Sequence, residues 1–146
     1  MTTIYFDMDG TIANLYGVEN WLPMLIAKDP TPYVIAEPLV NMSELRDRLE
    51  ALQESGYRIG IVSWLSKNST AEYDKAVRAA KRAWLKHHLG ITFDEMHIVR
   101  YGTPKSKVVS DKNGILFDDE LPNRLAWKGT AYNVDNILET LDTLVA

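Results

Sequence analysis

The chain has 146 residues, a formal charge of −4, 46% hydrophobic residues and no cysteine. This length fits one compact domain that buries roughly 70% of the unfolded chain's surface, so folding requires no metal or disulfide. The missing cysteines exclude disulfide bonds and thiol nucleophiles, and the acidic balance argues against a domain that grips nucleic-acid backbones.

The sequence begins with an apolar, strand-like segment rather than a charged leader. We therefore expect no signal peptide, and no apolar run is long enough to predict a membrane span. A chain without cysteine is compatible with a reducing cytoplasm, which is the expected location. We expect neither stable nucleic-acid binding nor membrane association.

The first predicted strand, Thr3–Asp7, is an apolar run that leads into two acids one residue apart, Asp7 and Asp9. Gly10 and Thr11 follow, and a glycine lets backbone N–H groups approach an anion closely. Two neighbouring carboxylates repel each other unless a cation intervenes, and Mg²⁺ favours such oxygen ligands. The alternative interpretation is a solvated Asx turn that binds no ligand.

Residues 14–41 interrupt the regular pattern, because four prolines exclude a long continuous helix. We expect a short helix near Glu19–Ala27, followed by an irregular loop. This segment is the candidate for a minimal cap or lid.

A capping pair at Asn41 and Glu44 predicts a helix that runs through residue 55. The next strand, Arg58–Ser63, ends in a hydroxyl side chain. Ser63 and the backbone N–H of Trp64 could bind a phosphate oxygen. A serine in this position is by itself more typical of a turn or cap, so the motif depends on the others.

A capping box at Ser69–Glu72 predicts a second long helix that ends before Gly90, and a third strand follows at Met96–Arg100. After that strand, Lys105 or Lys107 could neutralise a phosphate. Either lysine alone is typical of an exposed surface. We favour Lys105, because it follows a proline at a predicted helix start, and keep Lys107 as the alternative.

The fourth apolar strand, Gly114–Asp118, ends in three consecutive acids, Asp118, Asp119 and Glu120. A solvated turn is the alternative here too. Acids that emerge beside another acidic strand end would repel one another strongly without a cation. The strand therefore supports the cation site predicted at the first acid pair.

A short helix near Leu121, a fifth strand at Thr130–Asn133 and an apolar helical pattern over Val134–Val145 complete the chain. The alternation predicts a three-layer, Rossmann-like α/β fold with a mostly parallel five-stranded sheet. We expect residues 1–146 to form a single domain. The carboxyl ends of its strands would bring the four motifs to one edge of the sheet.

Four motifs follow one another along the chain: an acid pair, a hydroxyl, a lysine and a second acid pair. This order resembles that of the haloacid dehalogenase (HAD) superfamily. The first motif of that family, D-x-D-G-T, is matched in full by Asp7–Thr11. Ile59–Ser63 matches the second, Lys105 or Lys107 the third, and Gly114–Asp119 the fourth. Receiver domains use similar residue types but place the lysine last, so the order favours the HAD-like interpretation.

The resemblance implies a Mg²⁺-dependent phosphatase that acts through an aspartyl-phosphate. Asp7 would be the nucleophile, and Asp9 would act as general acid and then as general base. The implied metal ligands are Asp7, the backbone carbonyl of Asp9, Asp118 and Asp119. The implied phosphate-binding groups are Gly10, Thr11, Ser63, Trp64 and Lys105, with Lys107 as the alternative lysine.

Part of the pattern is similar to the 5′(3′)-deoxyribonucleotidase branch of the superfamily. This part comprises residues 107–110, the strand that leads to Asp119, and the later residues Asn123 and Trp127. This resemblance implies a nucleoside monophosphate as the small phosphorylated substrate. Candidates for stacking on a base are Tyr16, Trp21, Tyr33 and Trp64, although most aromatic side chains belong to the core.

The short segment at residues 14–41 predicts an open site, which a second subunit of a homo-oligomer could cover. The alternatives to a nucleotidase are a phosphatase for another small or macromolecular phosphoester, and a non-catalytic HAD-like module for phosphate binding or interaction.

Overall fold

The computed structural model describes residues 1–144. Seven strands lie within this range: β1 (Thr3–Phe6), β2 (Ala13–Asn14), β3 (Glu37–Pro38), β4 (Arg58–Trp64), β5 (Glu95–Val99), β6 (Ile115–Phe117) and β7 (Thr130–Tyr132). Five of them form a parallel sheet in the order β5-β4-β1-β6-β7, which places β1 at the centre. The short strands β2 and β3 pair antiparallel outside this sheet.

Seven α-helices lie in the same range: α1 (Trp21–Ile26), α2 (Thr31–Ile35), α3 (Met42–Glu54), α4 (Ala71–His88), α5 (Lys105–Val108), α6 (Leu121–Ala126) and α7 (Ile137–Leu144). None of these helices is both long and apolar enough to cross a membrane.

The core lies on both faces of the sheet because successive side chains of β1 point in opposite directions. Ile4 and Phe6 belong to the larger cluster, together with the apolar stripes of α3 and α7 and with Trp84 and Leu85 near the end of α4. Tyr5 points to the other face, where it packs against Trp127 with ring centroids 5.6 Å apart. The predicted α/β fold with a parallel five-stranded sheet is confirmed.

The helix caps explain where the two long helices begin. The Asn41 side chain accepts a hydrogen bond from the Glu44 N–H at 3.0 Å, which confirms that predicted start. The prediction for α4 is wrong by one residue, because Thr70 caps it by accepting from the Tyr73 N–H. The Ser69 hydroxyl donates instead to the carbonyl of Thr70.

Residues 14–41 are more regular than predicted. A 3₁₀ turn precedes α1, and the expected irregular loop contains the helix α2, whose second residue is Pro32. Proline fits the first turn of a helix, where its missing N–H leaves no bond unmade. Asp29 supports this start by accepting from the N–H of Thr31 at 2.9 Å. Of the predicted C-terminal pattern, Val145 lies outside the described residues.

Candidate active site

Asp7 follows the central strand β1 at its carboxyl edge and is mostly buried. Its N–H donates to the carbonyl of Phe117 in the neighbouring strand at 3.0 Å, which fixes the backbone. The hydroxyl of Thr11 donates to Asp7 Oδ2 at 3.0 Å. Gly10 adopts a φ of +82°, and this left-handed turn brings Thr11 back over Asp7.

Three carboxylates, those of Asp7, Asp118 and Asp119, each offer an oxygen within 4.8 Å of the others. Burial raises the pKa of Asp118, and the negative charge of Asp7 raises it further. The same two causes raise the pKa of Asp119 to about 7. The crowded negative charge thus disfavours the ionised carboxylates that a bound cation would stabilise.

Lys105 supplies positive charge to two members of this acid cluster. Its Nζ donates to Asp7 Oδ1 at 3.0 Å and to Asp118 Oδ2 at 2.6 Å. Burial lowers the pKa of Lys105, but the two carboxylates outweigh burial and raise it, which keeps the ammonium charged. Lys107 is exposed, so the structure brings Lys105 rather than Lys107 to the predicted site.

The donor set of the acid cluster fits Mg²⁺, which prefers a few carboxylates together with water and phosphate oxygens. Three carboxylates face one ammonium group, so negative charge remains for a divalent cation to balance. The side chain of Asp9 does not belong to this cluster among the described residues. Its backbone carbonyl stays the predicted ligand.

The Asp9 carboxylate instead contacts Lys81, a residue of α4 that sequence reasoning missed. Lys81 Nζ donates to Asp9 Oδ2 at 2.9 Å. Burial raises the pKa of Asp9, and the ammonium of Lys81 opposes this shift in part. A sequence signal existed, because Lys81 lies four residues from both Val77 and Leu85 on the apolar stripe of α4.

Gly10 and Thr11 were predicted to bind phosphate, but their backbone N–H groups are engaged within the turn. The N–H of Gly10 donates to the carbonyl of Ala13 at 2.9 Å, and that of Thr11 donates to the carbonyl of Met8 at 3.0 Å.

Two further predicted phosphate-binding residues, Trp64 and Ser63, differ in their access to the cavity. Trp64 lines a cavity of about 540 Å³ that also contains Asp7, Asp9 and Lys105. Ser63 is fully buried, and its Oγ accepts a hydrogen bond from Lys81 Nζ at 2.8 Å. Ser63 therefore lies beneath this cavity rather than along its wall.

Aromatic and apolar side chains form most of the cavity wall. Tyr16 and Trp21 stack edge to face with centroids 4.9 Å apart, and Trp64 and Tyr101 lie 5.0 Å apart. The four predicted stacking residues, Tyr16, Trp21, Tyr33 and Trp64, all line the cavity. Trp127 lies elsewhere, in the core, and donates from Nε1 to the carbonyl of Gly114.

No family model matches the chain, and no curated protein matches it. Several solved structures share its fold, among them two phosphatases. One is D,D-heptose 1,7-bisphosphate phosphatase from B. bronchiseptica complexed with magnesium and phosphate, at 12% identity and a TM-score of 0.61, covering 99% of this chain and 98% of that one. The other is D,D-heptose 1,7-bisphosphate phosphatase from Burkholderia thailandensis, at 12% identity and a TM-score of 0.59, covering 100% and 99%. The likeness shows that the chain has the fold of these two phosphatases, in agreement with the predicted α/β fold.

Proposed function

We propose that this chain is a Mg²⁺-dependent phosphomonoester hydrolase with Asp7 as its nucleophile. The observation that carries the proposal is the position of the Asp7 carboxylate. It accepts a hydrogen bond from the ammonium of Lys105, lies within 4.8 Å of carboxylate oxygens of Asp118 and Asp119, and lines a cavity. The phosphatase names of both similar structures support it, as does the magnesium and phosphate bound to one of them.

In the proposed reaction, an Asp7 carboxylate oxygen bonds to phosphorus while the ester oxygen leaves. Asp9 gives its proton to the leaving oxygen and then takes a proton from the water that attacks the aspartyl-phosphate. This second step releases inorganic phosphate and restores Asp7. Mg²⁺, bound by Asp7, Asp118, Asp119 and the carbonyl of Asp9, would neutralise charge on the phosphoryl oxygens.

The proposed phosphate cradle consists of the Lys105 ammonium and the backbone N–H of Trp64. An ammonium and an N–H that point at the same oxygen atoms stabilise the charge of a transferred phosphoryl group. Gly10 and Thr11, which the sequence predicted as further donors, use their N–H groups inside the turn and are not assigned to the cradle. Because Ser63 is fully buried, we assign it a supporting role beneath the cradle.

We further propose a nucleoside monophosphate as substrate. The two aromatic pairs on the cavity wall offer ring faces on which a base can stack. A cavity of about 540 Å³ has the size of a site for a small organic ligand. A phosphoester with another aromatic or apolar leaving group is the second candidate, because the same wall would accept it.

We propose that residues 14–41 act as a minimal lid within a single domain. The segment is attached to its neighbours by specific hydrogen bonds. Tyr73 donates from its hydroxyl to the carbonyl of Asp29 at 2.9 Å, and Trp84 donates to the carbonyl of Ala36 at 2.7 Å. These contacts hold the lid against α4 while Trp21 and Tyr33 face the cavity.

The lid also carries exposed apolar side chains, among them Leu22, Ile26, Val34 and Ile35. We propose that a second copy of the chain covers them in a homo-oligomer that acts in the cytoplasm. Light scattering on the protein as it elutes from a size-exclusion column measures its molar mass and so tests the oligomer. A monomer at all concentrations would contradict it.

A phosphatase screen tests the proposed function. Nucleoside monophosphates, sugar phosphates, phosphopeptides and p-nitrophenyl phosphate are each assayed with Mg²⁺ and with EDTA. We expect Mg²⁺-dependent release of phosphate, with nucleotides preferred. Asp7→Asn should abolish turnover, whereas the exposed Asp47→Asn should leave it unchanged. Phosphate binding without any turnover would favour the non-catalytic module.

A further inference from the structure

Lys81 is a buried cation in the middle of α4, with 1% of its surface exposed. Transferring an ammonium group from water into a protein interior is strongly unfavourable unless its partners compensate. An apolar residue of similar volume often serves the fold equally well at such a position. Packing alone therefore gives no reason for a lysine here.

The contacts of Lys81 use every hydrogen of its ammonium group. Nζ donates to Asp9 Oδ2 at 2.9 Å, to Ser63 Oγ at 2.8 Å and to the carbonyl of Trp64 at 2.7 Å. An ammonium group has three donors and no acceptor, so none remains for a phosphate oxygen. Lys81 consequently acts on its neighbours rather than on substrate.

Two of these three partners belong to the rigid end of β4, whereas Asp9 lies in the loop after β1. Ser63 and Trp64 are the last two residues of β4, and the neighbouring pairs β1–β4 and β4–β5 hold that strand in the sheet. The hydrogen bonds of Lys81 thus connect the Asp9 carboxylate to the end of β4.

This tie leaves the two oxygens of Asp9 in different situations. Oδ2 accepts from Lys81, whereas Oδ1 accepts no hydrogen bond from residues 1–144, and Asp9 lines the cavity. We propose that Lys81 is a positioning residue that holds Asp9 so that Oδ1 exchanges the proton with the leaving group and with water. This inference rests on the proposed phosphatase function.

The leaving-group dependence of Lys81→Met tests the proposal. General acid catalysis contributes about 10²- to 10⁴-fold, and mostly for leaving groups that need a proton. We expect kcat/KM to fall about 100-fold or more for an alkyl phosphate and about tenfold or less for p-nitrophenyl phosphate. Loss of fold or of phosphate binding would instead slow both substrates equally.

Chemical rescue provides a second readout. The chain has no cysteine, so Lys81→Cys can be alkylated at one position with 2-bromoethylamine while unfolded, and then refolded. The product carries an amine in place of the lysine amine, and we expect it to regain the activity on alkyl phosphates. The exposed Lys75→Met, on the same helix, is the matched control and should behave as wild type.

Ser63→Ala keeps the inference testable if Lys81→Met does not fold. It removes one anchor of Lys81, and we expect the same bias against poor leaving groups, about threefold to tenfold. An active wild type whose Lys81 and Ser63 variants slow all substrates equally would overturn the Lys81 proposal alone. A wild type that hydrolyses no phosphomonoester in Mg²⁺ would overturn the proposed function and this inference with it.

Discussion

Lys105 donates a 2.6 Å hydrogen bond from Nζ to Oδ2 of Asp118, and both side chains are almost completely buried. The pair joins the first residue of α5 to the residue that follows β6. Because Asp7 also accepts from Lys105, one ammonium balances two buried carboxylates. The stability of the site therefore depends on this lysine whenever no other cation is bound.

Lys105→Met should lower the free energy of unfolding by about 3–5 kcal/mol in EDTA, because it leaves buried carboxylates without their partner. Part of this loss should be recovered in Mg²⁺, since the cation would balance the acid cluster. Turnover should stay low in both conditions. Urea denaturation with EDTA and with Mg²⁺ measures both effects.

The control for this prediction is Lys107→Met, two residues further along and exposed. It should change the free energy of unfolding by less than about 0.5 kcal/mol, as most surface substitutions do. Equal stability of the Lys105 variant and wild type in EDTA would show that the buried pairing does not stabilise the fold.

Gly10→Ala should weaken Mg²⁺ binding, because a Cβ at this position would overlap the carboxylate of Asp119. The positive φ of +82° adds strain that only glycine avoids. Calorimetric titration with Mg²⁺ measures the loss, which we expect to reach tenfold or more. Gly56→Ala is a matched control, because it has a positive φ of +103° but no neighbour near its Cβ. Equal losses of Mg²⁺ affinity in both variants would contradict the steric explanation.

The fold could be predicted because its signals are local. Buried parallel strands appear as apolar runs, and all five predicted runs became strands of the central sheet. The start of α3 was predictable because Asn41 and Glu44 are three residues apart. The helix α2 was missed because its prolines were interpreted as breakers of structure rather than as residues of a first helical turn.

The candidate site was only partly predictable, because some of its contacts join distant positions. The pair of Lys81 and Asp9 spans 72 positions, and only folding reveals that α4 passes the loop after β1. The choice between Lys105 and Lys107 likewise depends on which one the turn after β5 directs inward. The aromatic cavity wall combines side chains of the lid with Trp64 and Tyr101, which no local pattern links.

Trp21→Ala should reduce the preference for nucleotides over sugar phosphates, because Trp21 contributes to the aromatic wall. Stacking of a base on an aromatic side chain is worth about 1–3 kcal/mol. We expect the ratio of kcat/KM for adenosine monophosphate to that for ribose 5-phosphate to fall about tenfold. Ribose 5-phosphate serves as the internal control, since it has no base. An unchanged ratio would mean that the base does not contact this wall.

Glu95 forms a polar cluster with Tyr5, His97 and Ser110 that takes no part in the proposed chemistry. Burial raises its pKa, but the hydrogen bonds from Ser110, His97 and Tyr5 outweigh burial and lower the pKa from 4.5 to about 2. A lowered pKa in the folded state means that the ionised group stabilises the fold. This contribution is complete above pH 4.5 and disappears as the pH falls through about 2.

Glu95→Gln should therefore lower the free energy of unfolding by about 2 kcal/mol at neutral pH, the scale of a hydrogen bond to a charged group. The difference from wild type should shrink as the pH falls from 4.5 towards 2, because wild type loses its ionised carboxylate over that range. Urea denaturation across this range measures it, with the exposed Glu50→Gln as control. A difference that stays constant with pH would show that the substitution acts through packing and not through the charge of Glu95.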